Sequence, residues 1–274
     1  MAGGGLHHGR GVGHYRRSAH DVTKVRAGKG IFDVDAVVFD KDGLLFDSQY
    51  FWKALAQIRV DTLREIDGFP IDKWCSLFGV ERENGEILSI HPSGIFAIAS
   101  PQEEAVVTAS LLHEATGDEW GRCRRRAVEA FEESDKRFDV RRALLPKPGF
   151  PRIFRELRDV GIPYGVATSD DAERTRVSVD QFDEADSLRF IVTPVEVKRG
   201  KPNPDMLLLI SEMLGIPCNR MMMIGDSYVD VQMAQSAGCI GIGIPDDAAM
   251  KDKMMEYDCT ILESLEELEV MRGR

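Results

Sequence analysis

The chain has 274 residues, 43% of them hydrophobic, which allows one large domain or two modest ones with a sizeable core. A formal charge of −11 argues against nucleic acid or an acidic membrane as partner. No apolar run approaches the roughly 20 residues that a membrane helix needs, so the chain is expected to be soluble.

Residues 1–30 are rich in Gly, His and Arg and show no apolar period, the composition of a disordered leader. They contain no apolar core of a secretory signal. Four of the six histidines (His7, His8, His14, His20) fall here and read as part of that leader. The leader also holds six basic residues and one acidic one, leaving 29 basic against 45 acidic in the remainder. An anionic substrate would therefore need local positive charge. The five cysteines, Cys75, Cys123, Cys218, Cys239 and Cys259, include no Cys-x-x-Cys pair. They read as reduced, mostly buried thiols in a cytoplasm.

"DAVVF" is the first predicted strand, and "DKDGLLFDS" follows it. Residues 49–143 then read as amphipathic helices, in "FWKALAQIRVDTLREI", "QEEAVVTASLLHEATG" and "EWGRCRRRAVEAFEESDKRF", with only "SGIFAIAS" ambiguous. This stretch is expected to be a helical domain inserted after the first strand, and the prolines of "LLPKPGF" mark the return. Beyond it, Phe150, Ile153, Phe154 and Leu157 fall at i, i+3, i+4 and i+7 of a helix, with Gly161 as its stop. "IPYGVAT", "IVTPV", "RMMMIG" and "CIGIGI" are strands, the triple Met reading as buried. "PNPDMLLLISEMLG" and "YVDVQMAQSAG" are helices, the former with Asn203 as expected N-cap and Pro204 in its first turn. Alternating strands and helices predict an α/β fold: a Rossmann-like parallel sheet with helices on both faces, over 31–48 and 144–274, plus the inserted helical domain over 49–143. Ligands in such folds bind beyond the carboxyl ends of the strands.

Polar residues gather at those ends. Strand one ends in Asp40-Lys41-Asp42-Gly43, the next in Thr168-Ser169, and the "RMMMIG" strand in Gly225-Asp226-Ser227, with Asp230 four residues after Asp226. Lys201 lies in "KRGKPNPD", just before a helix. Two like charges at 4 Å repel by roughly 4 kcal/mol at an effective dielectric of 20, so clustered carboxylates call for a cation. Alternate residues of an extended segment point the same way, bringing Asp40 and Asp42 to one site, and Gly43 lets the chain turn. Asp226 would complete an all-oxygen pocket of the kind that suits Mg²⁺. Lys201 offers a point charge for a phosphate and Thr168 a hydroxyl donor.

"DKDGLLFDS", "ATSD", "GKPNPD" and "GDSYVD", in this order, resemble the four motifs of the haloacid dehalogenase superfamily. The insert after the first motif resembles the subgroup with an α-helical cap, which includes phosphoglycolate phosphatases and beta-phosphoglucomutases. The resemblance implies that Asp40 is a nucleophile forming an aspartyl-phosphate, and that Asp42 is the general acid for the leaving group and then the base for water. It implies Mg²⁺ bound by Asp40, the Asp42 backbone carbonyl and Asp226, with Asp230 in direct or indirect support. Thr168, Ser169 and Lys201 would bind the transferring phosphoryl group. A lysine-paired carboxylate stays ionised, as a nucleophile must, and Asp42, lacking a cation of its own, would have a raised pKa.

The expected activity is Mg²⁺-dependent hydrolysis of a small soluble phosphomonoester. A phosphosugar mutase is the alternative; Asp170 and Asp171, standing after Thr168 where mutase-like relatives tend to carry a lysine, weigh against it. Either acid would also serve as a cap for the following helix. A phospho-accepting signalling domain and a silent binding protein are further alternatives. Within the insert, Arg122, Arg124, Arg125 and Arg126 read as a solvated face, while His91, Ser93 and His113 are candidate substrate contacts. Trp52, Trp74 and Trp120 read as packing residues.

Overall fold

The computed structural model describes residues 23–271 apart from 93, 100 and 183; the leader histidines and Ser93 lie outside the described residues. In chain order the strands and helices are β1 (Lys24–Ala27), β2 (Gly30–Asp33), β3 (Ala36–Phe39), α1 (Ser48–Arg64), α2 (Ile71–Phe78), β4 (Val80–Glu83), β5 (Glu86–Ile90) and α3 (Ile95–Ile98). Next come α4 (Pro101–Thr116), α5 (Trp120–Arg137), α6 (Arg152–Asp159), β6 (Tyr164–Ala167), α7 (Ala172–Asp180), β7 (Ile191–Val192) and α8 (Asp205–Leu214). The chain closes with β8 (Met221–Gly225), α9 (Tyr228–Ala237), β9 (Ile240–Gly243), α10 (Ala248–Met254), β10 (Thr260–Ile261) and β11 (Leu268–Met271). No described helix is long and apolar enough to cross a membrane.

Two compact units emerge. The first comprises the described residues up to Asp40, then Arg152–Ser169 and the described residues from Leu188 onward. Its centre is a six-stranded sheet in the order β10-β9-β8-β3-β6-β7, with every pairing parallel. All four residues of β3 are buried, as are those of β6 and the three methionines of β8. Uninterrupted burial of this kind is what a parallel sheet covered on both faces requires. Phe150 belongs to the second unit, but Ile153, Phe154 and Leu157 of α6 are buried in the first, and Phe154 packs on Phe39 with ring centroids 4.9 Å apart. The chain leaves β3 first for β6 and β7 on one side and later for β8, β9 and β10 on the other. That reversal makes the carboxyl end of β3 the place where the fold opens a crevice.

A three-stranded antiparallel sheet, β11-β1-β2, belongs to the same unit. The leader expected over 1–30 is thus too long: Lys24–Ala27 and Gly30–Asp33 pair as a hairpin. Val25 and Ala27 are buried while Lys24 and Arg26 face outward, an alternation masked in the sequence by the Gly- and Arg-rich surroundings. Asn203 is not the N-cap of α8 either; Pro204 holds that position, and the Asn203 side chain donates to the Gly200 carbonyl.

The second unit comprises Lys41–Pro151 and Asp170–Ser187, so α7 groups with the helices although it follows a core strand. Trp74 is fully buried, stacks on Phe78 at 4.3 Å and donates its indole N–H to Thr108 Oγ1 at 3.0 Å. Around it Val60, Leu63, Leu112 and Ala127 complete a separate apolar core. This unit is not wholly helical. β4 and β5 form an antiparallel hairpin around Asn84-Gly85, where φ is +51° and +94°. Asn-Gly is the strongest short-range signal for such a turn, and it stands in "VERENGEILSI". The ambiguous "SGIFAIAS" contains the short helix α3 instead of a strand.

Candidate active site

The first unit brings four of the expected residues together. Asp40 follows β3 directly, and its N–H donates to the Ile224 carbonyl of β8 at 2.9 Å, which aligns it with Gly225 and Asp226 on the neighbouring strand end. One carboxylate oxygen from each of Asp40, Asp226 and Asp230 falls within 4.8 Å of the others. Into this group reaches Lys201, whose ammonium lies 2.7 Å from Asp40 and 2.6 Å from Asp230 and is 5% exposed.

Asp230 holds its place through the start of α9. Ser227 caps that helix by accepting from Val229 N–H, while the Asp230 carboxylate accepts from the Ser227 N–H, a reciprocal capping box. Gly225 makes room for it. A Cβ at that position would stand 2.3 Å from the Cβ, Cγ and Oδ2 of Asp230, so only glycine admits the carboxyl group against the strand end.

Three carboxylates share one ammonium, and the electrostatics follow. Burial alone would lower the Lys201 pKa, yet Asp230 and Asp40 outweigh it and hold the ammonium charged. Burial, then the charges of Asp40, Asp230 and Asp246, push Asp226 well above the usual carboxylate range, with Lys201 opposing. Burial likewise raises Asp230 to about 6 against the pull of Lys201. A site with this excess of negative oxygen fits a hard divalent cation.

Thr168 and Ser169 follow β6. The Thr168 N–H donates to Val192 of β7 at 3.1 Å and the residue is buried, while Ser169 is exposed. β6 and β8 flank β3, so Thr168, Asp40 and Asp226 all lie at the carboxyl edge of adjacent strands. Asp246, beyond the end of β9, acts on Asp226 by charge and was not singled out in the sequence, where it stands in an apolar-to-acidic step, "GIPDD".

Asp42 belongs to the second unit, and Gly43 after it takes φ +83°, allowing the expected turn. The expectation that Asp42 lacks a cation of its own is overturned: Lys41 Nζ forms a salt bridge with it. Lys41 is 1% exposed, and its ammonium lies 2.9 Å from Asp170 as well. Burial lowers its pKa, but Asp42 and Asp170 outweigh this and the net shift is upward. Neither Lys41 nor Asp170 was read from the sequence as part of this pairing; the signal was a lysine between two aspartates after an apolar strand. Asp171 is the cap of α7, accepting from the N–H groups of Glu173 and Arg174.

Elsewhere in the second unit, Arg126 and Arg122 pair with Asp118 at 3.3 and 3.8 Å. His91 is exposed, and His113 Nδ1 lies 2.6 Å from the Asp118 carbonyl. Trp74 packs in the core, Trp52 is partly buried against it, and Trp120 is 42% exposed, its ring roughly perpendicular to that of His113 at 6.2 Å.

The sequence profile of the haloacid dehalogenase-like hydrolases matches residues 34–238. Among curated relatives, the N-acetylmuramic acid 6-phosphate phosphatase of Pseudomonas aeruginosa is 25% identical over 205 residues, covering 74% of this chain and 78% of its own. The phosphoglycolate phosphatase of Escherichia coli is 33% identical over 88 residues, a match that spans 32% of this chain and only 35% of that enzyme. Among solved structures, a putative beta-phosphoglucomutase from Thermotoga maritima superimposes with a TM-score of 0.56 at 20% identity, over 85% of this chain and 96% of the other. A haloacid dehalogenase family hydrolase from Deinococcus radiodurans, crystallised with phosphate and sodium, gives 0.54 at 20% identity over 85% and 93%. At these identities the structures show a shared fold. The profile match extends over most of the chain, from before β3 to the end of α9, and the chain belongs to the haloacid dehalogenase-like hydrolases.

Proposed function

We propose that this chain is a Mg²⁺-dependent phosphatase that hydrolyses a small soluble phosphomonoester through an aspartyl-phosphate on Asp40. The observation that carries the reading is the Lys201 ammonium 2.7 Å from Asp40, at the carboxyl end of the central strand, beside Asp226 and Asp230. The family and its phosphatase members support it.

An Asp40 carboxylate oxygen attacks phosphorus as the bond to the ester oxygen breaks, and Asp42 delivers a proton to that oxygen. Water then attacks the phosphorus of the aspartyl-phosphate and gives a proton to Asp42, releasing inorganic phosphate and restoring Asp40. Lys201 pairs with Asp40 and, with Thr168 and Ser169, neutralises and orients the phosphoryl oxygens; positioning and charge stabilisation are most of the catalysis in such transfers. Asp40, the Asp42 carbonyl and Asp226 would hold Mg²⁺, with Asp230 in support, and the ion would supply charge stabilisation to the phosphoryl oxygens. The second unit is assigned the part of a cap that selects the substrate. The five cysteines are free thiols, consistent with a cytoplasmic setting.

A phosphosugar mutase is the rival reading, suggested by the shared fold with the T. maritima protein. Against it stand Asp170 and Asp171 in the stretch after Thr168 where mutase-like relatives tend to carry a lysine; here Asp170 occupies the nearby cations Lys41 and Arg174 and Asp171 caps α7. The test is phosphate release from a panel containing phosphoglycolate, N-acetylmuramic acid 6-phosphate and sugar phosphates, with Mg²⁺ and with a chelator. Metal-dependent release supports the phosphatase. Conversion of a sugar phosphate to its isomer without release would favour the mutase.

A further inference from the structure

Lys41 is a buried cation to which the chemistry above gives no task. Its ammonium bridges Asp42 and one oxygen of Asp170, and it lies 5.9 Å from the centre of the Phe51 ring. Arg174 holds the other Asp170 oxygen at 3.2 Å, one turn along α7. Asp170 is thereby anchored to a helix whose N-terminus Asp171 caps. An aliphatic side chain would fill the space of Lys41 without placing a charge in the interior. The Asp42 side chain, by contrast, is 36% exposed, and a carboxylate that open to water samples several rotamers unless it is tethered.

We propose that Lys41 and Asp170 are positioning residues: Lys41, anchored by Asp170, fixes the Asp42 carboxylate in the orientation its proton transfers need. This deepens the phosphatase reading and rests on it. Proton delivery to the ester oxygen matters most when that oxygen is a poor leaving group, and little when it leaves readily as an anion. Loss of positioning therefore falls unevenly over a substrate series. A loss of folded enzyme or of phosphate binding falls evenly.

The experiment is kcat/KM for a series of substituted phenyl phosphates, from p-nitrophenyl to unsubstituted phenyl phosphate, plotted against leaving-group pKa. It compares the wild type with Lys41→Met, Asp170→Asn, Asp42→Asn and Asp40→Asn. The slope should steepen in Lys41→Met, with a loss of about tenfold or more for phenyl phosphate but about threefold or less for p-nitrophenyl phosphate. Asp170→Asn should fall between the wild type and Lys41→Met. Should Lys41→Met not fold, Asp170→Asn carries the test alone. Lines parallel to the wild type, or unchanged rates, overturn the positioning role while leaving the phosphatase standing. If no ester is hydrolysed in an Asp40-dependent way, the phosphatase reading falls and the positioning role with it.

Discussion

The Lys201 ammonium lies 2.7 Å from the Asp40 carboxylate, although the two residues come from distant parts of the chain. Asp40 arrives there on the central strand and Lys201 on the segment before α8. The same ammonium lies 2.6 Å from Asp230, so a single buried cation joins the proposed nucleophile to the first turn of α9.

Removing that cation should leave three carboxylates without the ammonium they share. Breaking a buried ion pair costs about 3–5 kcal/mol, and Lys201→Met is expected to lose stability on that scale. Asp226 and Asp230 have folded pKa values raised above their unfolded ones. The folded state thus binds more protons, and stability is lost as pH rises from the ordinary carboxylate value through the raised one. Urea midpoints in a chelator should therefore fall further in the variant at pH 8 than at pH 5, and Mg²⁺ should recover more at pH 8. Equal losses at both pH values would show that the three carboxylates do not share the charge of Lys201.

Asp42→Asn should slow turnover by about 10²–10⁴-fold, the usual contribution of a positioned acid–base, with the fold retained by circular dichroism. An unchanged rate would remove Asp42 from the proton transfers.

Gly225→Ala tests how the site is built. Its Cβ would collide with the Asp230 carboxyl group at 2.3 Å. A displacement of that kind is expected to cost turnover by about 10²-fold and to lower the melting temperature. Wild-type activity would mean that Asp230 has no fixed place in the site.

Glu104 provides a pH test in the second unit. Burial pushes its carboxyl from 4.5 up to about 7, with Arg59 opposing and Asp135 adding to the rise. Below pH 4.5 both folded and unfolded forms are protonated. Between there and 7 only the unfolded form ionises, so stability falls by about 3 kcal/mol as pH rises through this window. Glu104→Gln, which mimics the protonated form, should match the wild type at pH 5 and exceed it at pH 8. Identical pH profiles would contradict this.

What the sequence made legible were the features written in local pattern. The ends of β3, β6 and β8 could be read because each polar residue follows its own apolar run, and parallel strands align such ends by construction. A cap at Asp170 or Asp171 could be read from their place before a helix, and the structure gives the position to Asp171. What escaped was non-local or context-dependent. Lys41 pairs with Asp42 beside it and with Asp170 far along the chain; nothing near Lys41 announces Asp170, and adjacent residues of an extended segment are expected on opposite faces, so the pairing with Asp42 was not legible either. The β1-β2 hairpin was hidden by its neighbours' composition. The β4-β5 hairpin was a different failure, since Asn84-Gly85 is a local signal that helical surroundings overshadowed.

The most direct test of the central claim compares phosphate release by the wild type and by Asp40→Asn, in Mg²⁺ and in a chelator, on the best ester of the panel. The account predicts metal-dependent release by the wild type and none by Asp40→Asn, whose circular dichroism should match the wild type. Appreciable hydrolysis by Asp40→Asn would contradict it and remove Asp40 as the nucleophile.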